Sequence, residues 1–252
     1  LAPLGDRLLA QGANGVSFFF VLSGFVLAWS AHRPVPGHGA VARRSGRRAA
    51  RIVPLHVLTW AVAFGVIALE GSRVSVPVAA ANLLLVHAFV PKQSVYYSMD
   101  AVSWSLSCQL FFYALFWPAR RTIRALPAWL LPLTLGLCVL GSLGVLAAVV
   151  RVGPAHAAWF AYIAPPFRLL EFLAGMVTAE LVASGRWPGI PFAAAVVAAG
   201  AAYVATGWVE FPFKATGVTL VPFVVLIAAA AHADLAGTAT WWSRPAVRRL
   251  GE

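Results

Sequence analysis

The run Ala128-Trp-Leu-Leu-Pro-Leu-Thr-Leu-Gly-Leu-Cys-Val-Leu-Gly-Ser-Leu-Gly-Val-Leu-Ala-Ala-Val-Val150 holds no charged side chain over a length that matches the hydrocarbon core of a bilayer. Working outward from it, apolar stretches recur at about residues 14–31, 52–70, 101–118, 157–183, 190–209 and 215–233, separated by short loops containing Pro, Gly and Arg. Together they predict an all-α, polytopic transmembrane helical bundle of about seven spans, forming one membrane domain over residues 1–252. The apolar stretch from Asn82 to Val90 is too short to cross as a helix and is read as re-entrant or interfacial.

Composition agrees. Of 252 residues, 61% are hydrophobic and only 11% charged, which a water-soluble globule of this size does not tolerate. The formal charge of +11 would suggest nucleic acid in a soluble protein, but in a membrane protein basic residues collect in cytoplasmic loops. Placing the Arg43 to Arg51 loop in the cytoplasm puts thirteen of the nineteen basic residues on that side and leaves Lys92 on the other, provided residues 82–90 do not cross. Nucleic acid is thereby set aside as a partner, and the lipid bilayer takes its place. Cys108 and Cys138 lie inside apolar runs without further ligands at metal spacing, so neither a disulfide framework nor a metal site is expected.

Four motifs carry chemical information. In Gly15-Val-Ser-Phe-Phe-Phe-Val-Leu-Ser-Gly-Phe25, the small residues Ser23 and Gly24 allow another helix, or a ligand, to approach the backbone. In the basic run ending at Pro54, Arg48 and Arg51 are three apart and share a face if the helix has already begun, a placement in which two guanidiniums grip a phosphate. The third motif, from Val102 to Pro118, repeats Ser105, Gln109 and Tyr113 at intervals of four, a polar stripe that has to face protein or water. The fourth places Arg168 and Glu171 three apart, with Gly175 four further on, which combines an ion pair and a close-approach point on one helix face. The six histidines are scattered, no two of them four residues apart, and each is read as satisfied or solvated.

Taken in order, these motifs resemble the acyltransferase-3 family, the bacterial integral-membrane O-acyltransferases that include O-antigen and other glycan acetylases. The resemblance rests on Ser23-Gly24-Phe25, on Arg48, Arg51 and Pro54, on Trp104-Ser105-Leu106-Ser107 leading to Tyr113 and Pro118, and on Arg168 with Glu171-Phe172-Leu173 and Gly175. It implies transfer of an acyl group, usually acetyl, from cytosolic acyl-CoA to a hydroxyl of a sugar, glycan or secreted metabolite, at the bacterial cytoplasmic membrane. Arg48 and Arg51, with Ser23 and Gly24, would serve the acyl-CoA, while Ser105, Gln109, Tyr113, Arg168 and Glu171 would support catalysis. The family's catalytic His precedes the phenylalanine-rich run, and Gln109 stands where the family usually has a Glu that can titrate. Both ends of the sequence are expected to be cuts in a longer chain, and the stretch from Leu1 to Glu252 is expected to be inactive by itself. Two rivals remain: a permease for an anionic glycan or lipid, which predicts an inverted repeat that the sequence does not display, and a catalytically inactive relative.

Overall fold

The structure, a computed structural model, describes residues 12–32, 40–71, 74–151 and 154–237, and for residues 13, 40–49, 51, 154 and 155 it describes the backbone alone. Among the described residues every regular element is helical. The longer helices are α1 (Ala13–Ser30), α2 (Ala40–Leu69), α3 (Val76–Leu83), α4 (Trp104–Ala125), α5 (Leu131–Val149), α6 (Pro165–Ala183), α7 (Phe192–Ala205) and α8 (Leu220–Leu235). Each of the seven apolar stretches therefore lies on helix. Four stretches, Ile52–Leu69, Ala128–Val149, His156–Ala183 and Phe213–Leu235, are long and apolar enough to cross a membrane, and Asn14–Ser30 and Phe192–Trp208 are shorter apolar helices. The segment after Leu69 is broken into the eight-residue α3, a 3-10 turn at His87–Phe89 and a single turn at Gln93–Tyr96. None of these pieces is long enough to span hydrocarbon.

Proline placement accounts for several boundaries. Pro165 and Pro166 open α6, where the missing N–H groups cost nothing because the first turn has no partners for them. Pro54 behaves differently: it lies inside α2, which begins at Ala40 and runs through it. Apolar segments tolerate such a proline because the hydrogen bond it removes is one of many fixed along the helix. Helix is thus already established at Arg48 and Arg51.

The chain divides into two compact units, one formed by residues 1–30, 126–140 and 171–252 and the other by residues 31–125 and 141–170. In the first unit, α1 meets α6 through two glycines. A Cβ added at Gly24 would fall 2.0 Å from the Phe172 carbonyl oxygen, and one added at Gly175 would fall 2.0 Å from the Val21 carbonyl oxygen. Backbone thus touches backbone, and the walls of the contact are the buried Phe20, Phe25, Phe172 and Met176. In the second unit, α2 exposes nearly its whole apolar surface, and His56 is the one buried side chain from Ile52 to Leu69. Exposure of Leu55, Leu58, Val62 and Phe64 on that helix suits contact with lipid.

The glycine contact yields a direct test. Gly24→Ala and Gly175→Ala each force α1 and α6 apart and should lower the thermal midpoint in detergent by several degrees. Gly144→Ala, where an added Cβ meets nothing within 4 Å, should leave it level or raise it.

Candidate functional site

Among the described residues two polar clusters are buried, one in each compact unit. The cluster in the first unit is built on α1. Asn14 donates from Nδ2 to the Thr206 hydroxyl at 3.3 Å and accepts at Oδ1 from the Thr219 hydroxyl at 3.2 Å. One turn along, Ser17 hydrogen-bonds Thr216 and donates to the Ala215 carbonyl oxygen at 3.2 Å. Thr216 in turn donates to Oε1 of Glu171 at 2.7 Å. Glu171 is 1% exposed, so a hydroxyl placed on it is worth more than the same contact in water.

Asn82, at the end of α3, is the centre of the cluster in the second unit. Its Nδ2 donates to the Ser98 carbonyl oxygen at 2.8 Å and to the hydroxyls of Ser98 at 3.3 Å and Ser103 at 3.2 Å. His56 reaches in from α2 and donates from Nε2 to the Asn82 carbonyl oxygen at 3.2 Å. Ser103 commits its proton to the Asp100 carbonyl oxygen at 2.6 Å, so in its 3.3 Å contact with Nε2 of His87 it is the imidazole that donates. Ser107 on α4 donates to the carbonyl oxygen of Leu85, and the indoles of Trp60 and Trp159 cap the carbonyls of Ala79 and Ala88 at 3.1 and 2.9 Å. These contacts hold the segment between α2 and α4 in an irregular path, with Leu85 at φ 57° and Met99 at φ 59°, both left-handed conformations that non-glycine residues adopt at a cost.

Burial holds the His87 imidazole down from the usual 6.5 to about 4; nearby His56 adds to the depression, and the Ala81 carbonyl and Asp100 oppose it. His87 is therefore neutral near pH 7. The expectation that every histidine is satisfied or solvated is met only halfway, because His56 and His87 are buried and each has a bonded Nε2 and an Nδ1 without a hydrogen-bond partner.

Of the residues expected at the site, Arg168 is 2% exposed, with its guanidinium 5.5 Å from the centre of the Tyr162 ring. The same ring lies 4.7 Å from that of Trp104, so two of the sequence motifs meet on Tyr162, which the sequence did not single out. Cys108 donates to the Ile163 carbonyl oxygen at 3.3 Å across the same region. Gln109 is fully buried, and neither atom of its amide has a hydrogen-bond partner. Ser105 and Tyr113 are half-buried, and Ser105 turns back to the Val102 carbonyl oxygen. The inward face of α4 is set by Trp104, Cys108, Phe112 and Phe116, and the serine that makes a tertiary contact is Ser107. Gly24 meets the backbone of α6, and Ser23 beside it is half-buried. The side chains of Arg48 and Arg51 lie outside the described residues. Among the described residues, no three His, Cys, Asp or Glu side chains gather as metal ligands would.

Comparison with known proteins agrees with these motifs. The acyltransferase domain family, acyltransferase-3, matches residues 4–252. Acyltransferase MdmB of Streptomyces mycarofaciens is 34% identical over 98% of this chain and 66% of its own length. Exopolysaccharide production protein ExoZ of Rhizobium meliloti (strain 1021) is 30% identical over 86% of this chain and 65% of its own length. The chain thus spans just under two thirds of these curated relatives, and no solved structure matches it.

The buried His87 gives a signed pH prediction. Its folded value lies below its unfolded one, so the unfolded chain takes up the proton first, and stability present above about pH 6.5 is lost as pH falls toward 4. In thermal melts across that range, His87→Gln should show a smaller fall in midpoint than the unmodified protein. Parallel pH curves for the two would count against a buried neutral imidazole.

Proposed function

Because this chain belongs to the acyltransferase-3 family, we propose that the protein moves an acyl group, in the first instance acetyl, from cytosolic acyl-CoA to a hydroxyl of a sugar, glycan or secreted metabolite. The observation that carries this reading is Arg168, a buried guanidinium held on an aromatic ring shared with Trp104. In the reaction a hydroxyl oxygen attacks the thioester carbonyl, the new C–O bond forms and the C–S bond breaks. The hydroxyl proton ends on the sulfur of the departing CoA. Negative charge gathers on the carbonyl oxygen in between, and a fixed cation in a low-dielectric interior stabilises that charge. Arg48 and Arg51, three apart on the established helix α2, offer paired guanidiniums for the phosphates of the donor. A hydroxyl-rich acceptor is supported by the name of one relative, exopolysaccharide production protein ExoZ.

The reaction also fixes an orientation. Acyl-CoA is cytosolic, so the Arg43 to Arg51 region faces the cytoplasm of a bacterial inner membrane, and Lys92, exposed ahead of the turn Gln93–Tyr96, faces the other side. Single cysteines at positions 45 and 92, in a background without Cys108 and Cys138, test this with an impermeant maleimide on intact cells. Labelling at 92 and protection at 45 are expected, and the reverse pattern would overturn the assignment.

Kinetics test the chemistry. With the full-length protein in nanodiscs and acetyl-CoA as donor, Arg48→Gln/Arg51→Gln should weaken acetyl-CoA binding by about tenfold or more. Arg168→Gln should lower kcat by roughly a hundredfold with donor affinity retained. Unchanged donor affinity in the first variant, or unchanged kcat in the second, would remove the corresponding role.

A further inference from the structure

Just ahead of α6 the chain departs from α-helix, and the sequence explains why. Residues Trp159–Ile163 form a single π-turn, in which the Ala164 N–H donates to the Trp159 carbonyl oxygen at 2.8 Å. Pro165 and Pro166 follow directly. Neither has an N–H, so the carbonyls of Ala161 and Tyr162 cannot receive the bonds that an α-helix would give them. Proline also drives the residue before it toward extended backbone, and Ala164 accordingly lies at φ −58° and ψ 116°. The next two N–H groups, of Phe167 and Arg168, both donate to the Ala164 carbonyl oxygen, at 3.1 and 3.2 Å, and the Ile163 carbonyl oxygen accepts from the Cys108 thiol on α4.

A π-turn is less favourably bonded than α-helix and persists where its surroundings hold it. Here the Trp159 indole donates to the Ala88 carbonyl oxygen at 2.9 Å, Cys108 holds Ile163, and Phe160 packs on Phe167 with ring centres 5.6 Å apart. All of these residues belong to the second compact unit. The side chain that the turn presents is Tyr162. Its ring meets that of Trp104 at 4.7 Å between centres and carries the Arg168 guanidinium 5.5 Å from its own centre. Neither burial nor the helix dipole favours a cation at Arg168, which is 2% exposed and the fourth residue of α6. An aromatic ring attracts a guanidinium without cancelling its charge, as a carboxylate would.

We propose that Tyr162 is a positioning residue for acyl transfer: presented by the π-turn and backed by Trp104, its ring holds the Arg168 guanidinium in the orientation that meets the charge gathering on the thioester carbonyl oxygen. The inference rests on the role given to Arg168 above and adds the residue through which that role depends on geometry. Tyr162 forms no bond and takes no proton in the transfer. Stabilisation by a fixed charge depends on where the charge sits, so a guanidinium released from the ring keeps its charge and loses its aim. Both the Trp104 contact and the cation contact are made by the ring, so the ring is the part required.

The test uses the full-length protein in nanodiscs, with acetyl-CoA as donor and methyl α-D-glucopyranoside as acceptor probe, and follows CoA release. Tyr162→Leu should lower kcat by about tenfold while the acetyl-CoA KM stays within about twofold. Tyr162→Phe keeps the ring and should hold kcat within about threefold of the unmodified protein. In the Arg168→Gln background, where there is no guanidinium to hold, Tyr162→Leu should change kcat by less than about twofold. Should Tyr162→Leu fail to fold, Tyr162→Met, which fills the space with a flexible chain, takes its place in both backgrounds. A ring that served packing alone would slow Arg168→Gln as much as the unmodified protein, and that result would overturn the proposal. So would an undiminished kcat in Tyr162→Leu when Arg168→Gln is slow. An undiminished kcat in Arg168→Gln, or no CoA release by the unmodified protein, would instead remove the role of Arg168 or the assigned reaction, and this inference with it.

Discussion

A polar group withdrawn from water inside this chain has to find its partner inside the chain, because neither the apolar side chains around it nor a hydrocarbon exterior can supply one. With 61% of the residues hydrophobic, that constraint decides where irregular backbone can exist. Helices satisfy their own carbonyls and N–H groups and are free to present Leu, Val and Phe outward. The stretch between α2 and α4 cannot do this, because it changes direction several times. Carbonyls along it, at Ala79, Leu85 and Ala88, accept hydrogen bonds from side chains elsewhere in the unit: Trp60, Ser107 and Trp159. The polar residues of the second unit are therefore where they are because a non-helical segment at that place requires them.

The same reasoning separates what could be read from the sequence from what could not. Apolar runs are local and periodic, so the helical class was legible from composition and length alone, as was the shortness of the apolar stretch from Asn82 to Val90. The role of Gly24 and Gly175 was legible as close approach, since a small residue in a bulky helix has few other uses, although only the structure shows that each glycine faces the backbone of the other's helix. The count of seven spans is not confirmed: among the described residues four stretches meet the length and hydropathy of a crossing helix and two others are shorter. Helix α4 carries Gln109, Arg120, Arg121 and Arg124, and these dilute its apolar character.

The polar stripe on α4 shows why site residues were harder to read. Spacing of four picks out Ser105, Gln109 and Tyr113, but it does not say which face turns inward. Large aromatic side chains settle that. Phe112 and Phe116 claim the interior, which carries Ser107 inward and leaves Ser105 half-buried on its own backbone. Tyr162, Asn82 and His56 were missed for a related reason: their importance lies in contacts sixteen or more positions apart along the chain or in a partner aromatic, and no local pattern marks them. The one available signal was a lone Asn82 with His87 five positions on, in an otherwise apolar stretch too short to span.

Asn14 and Asn82 make the last distinction. Both are fully buried, and both sit where helices meet segments of different length and direction. Asn14 uses both ends of its amide, donating to Thr206 and accepting from Thr219, and so it is complete as a structural cross-link. Asn82 uses only one end, donating repeatedly from Nδ2 while Oδ1 meets nothing, and the histidine bonded to its backbone repeats the pattern with one nitrogen occupied and the other bare. If burial alone had selected these residues, the less costly arrangement would be the saturated one at both places, since an unsatisfied acceptor loses more than a neutral hydrogen bond gains. The difference between the two asparagines is thus a difference between a group whose bonding is finished within the fold and one that keeps a buried acceptor without a hydrogen-bond partner.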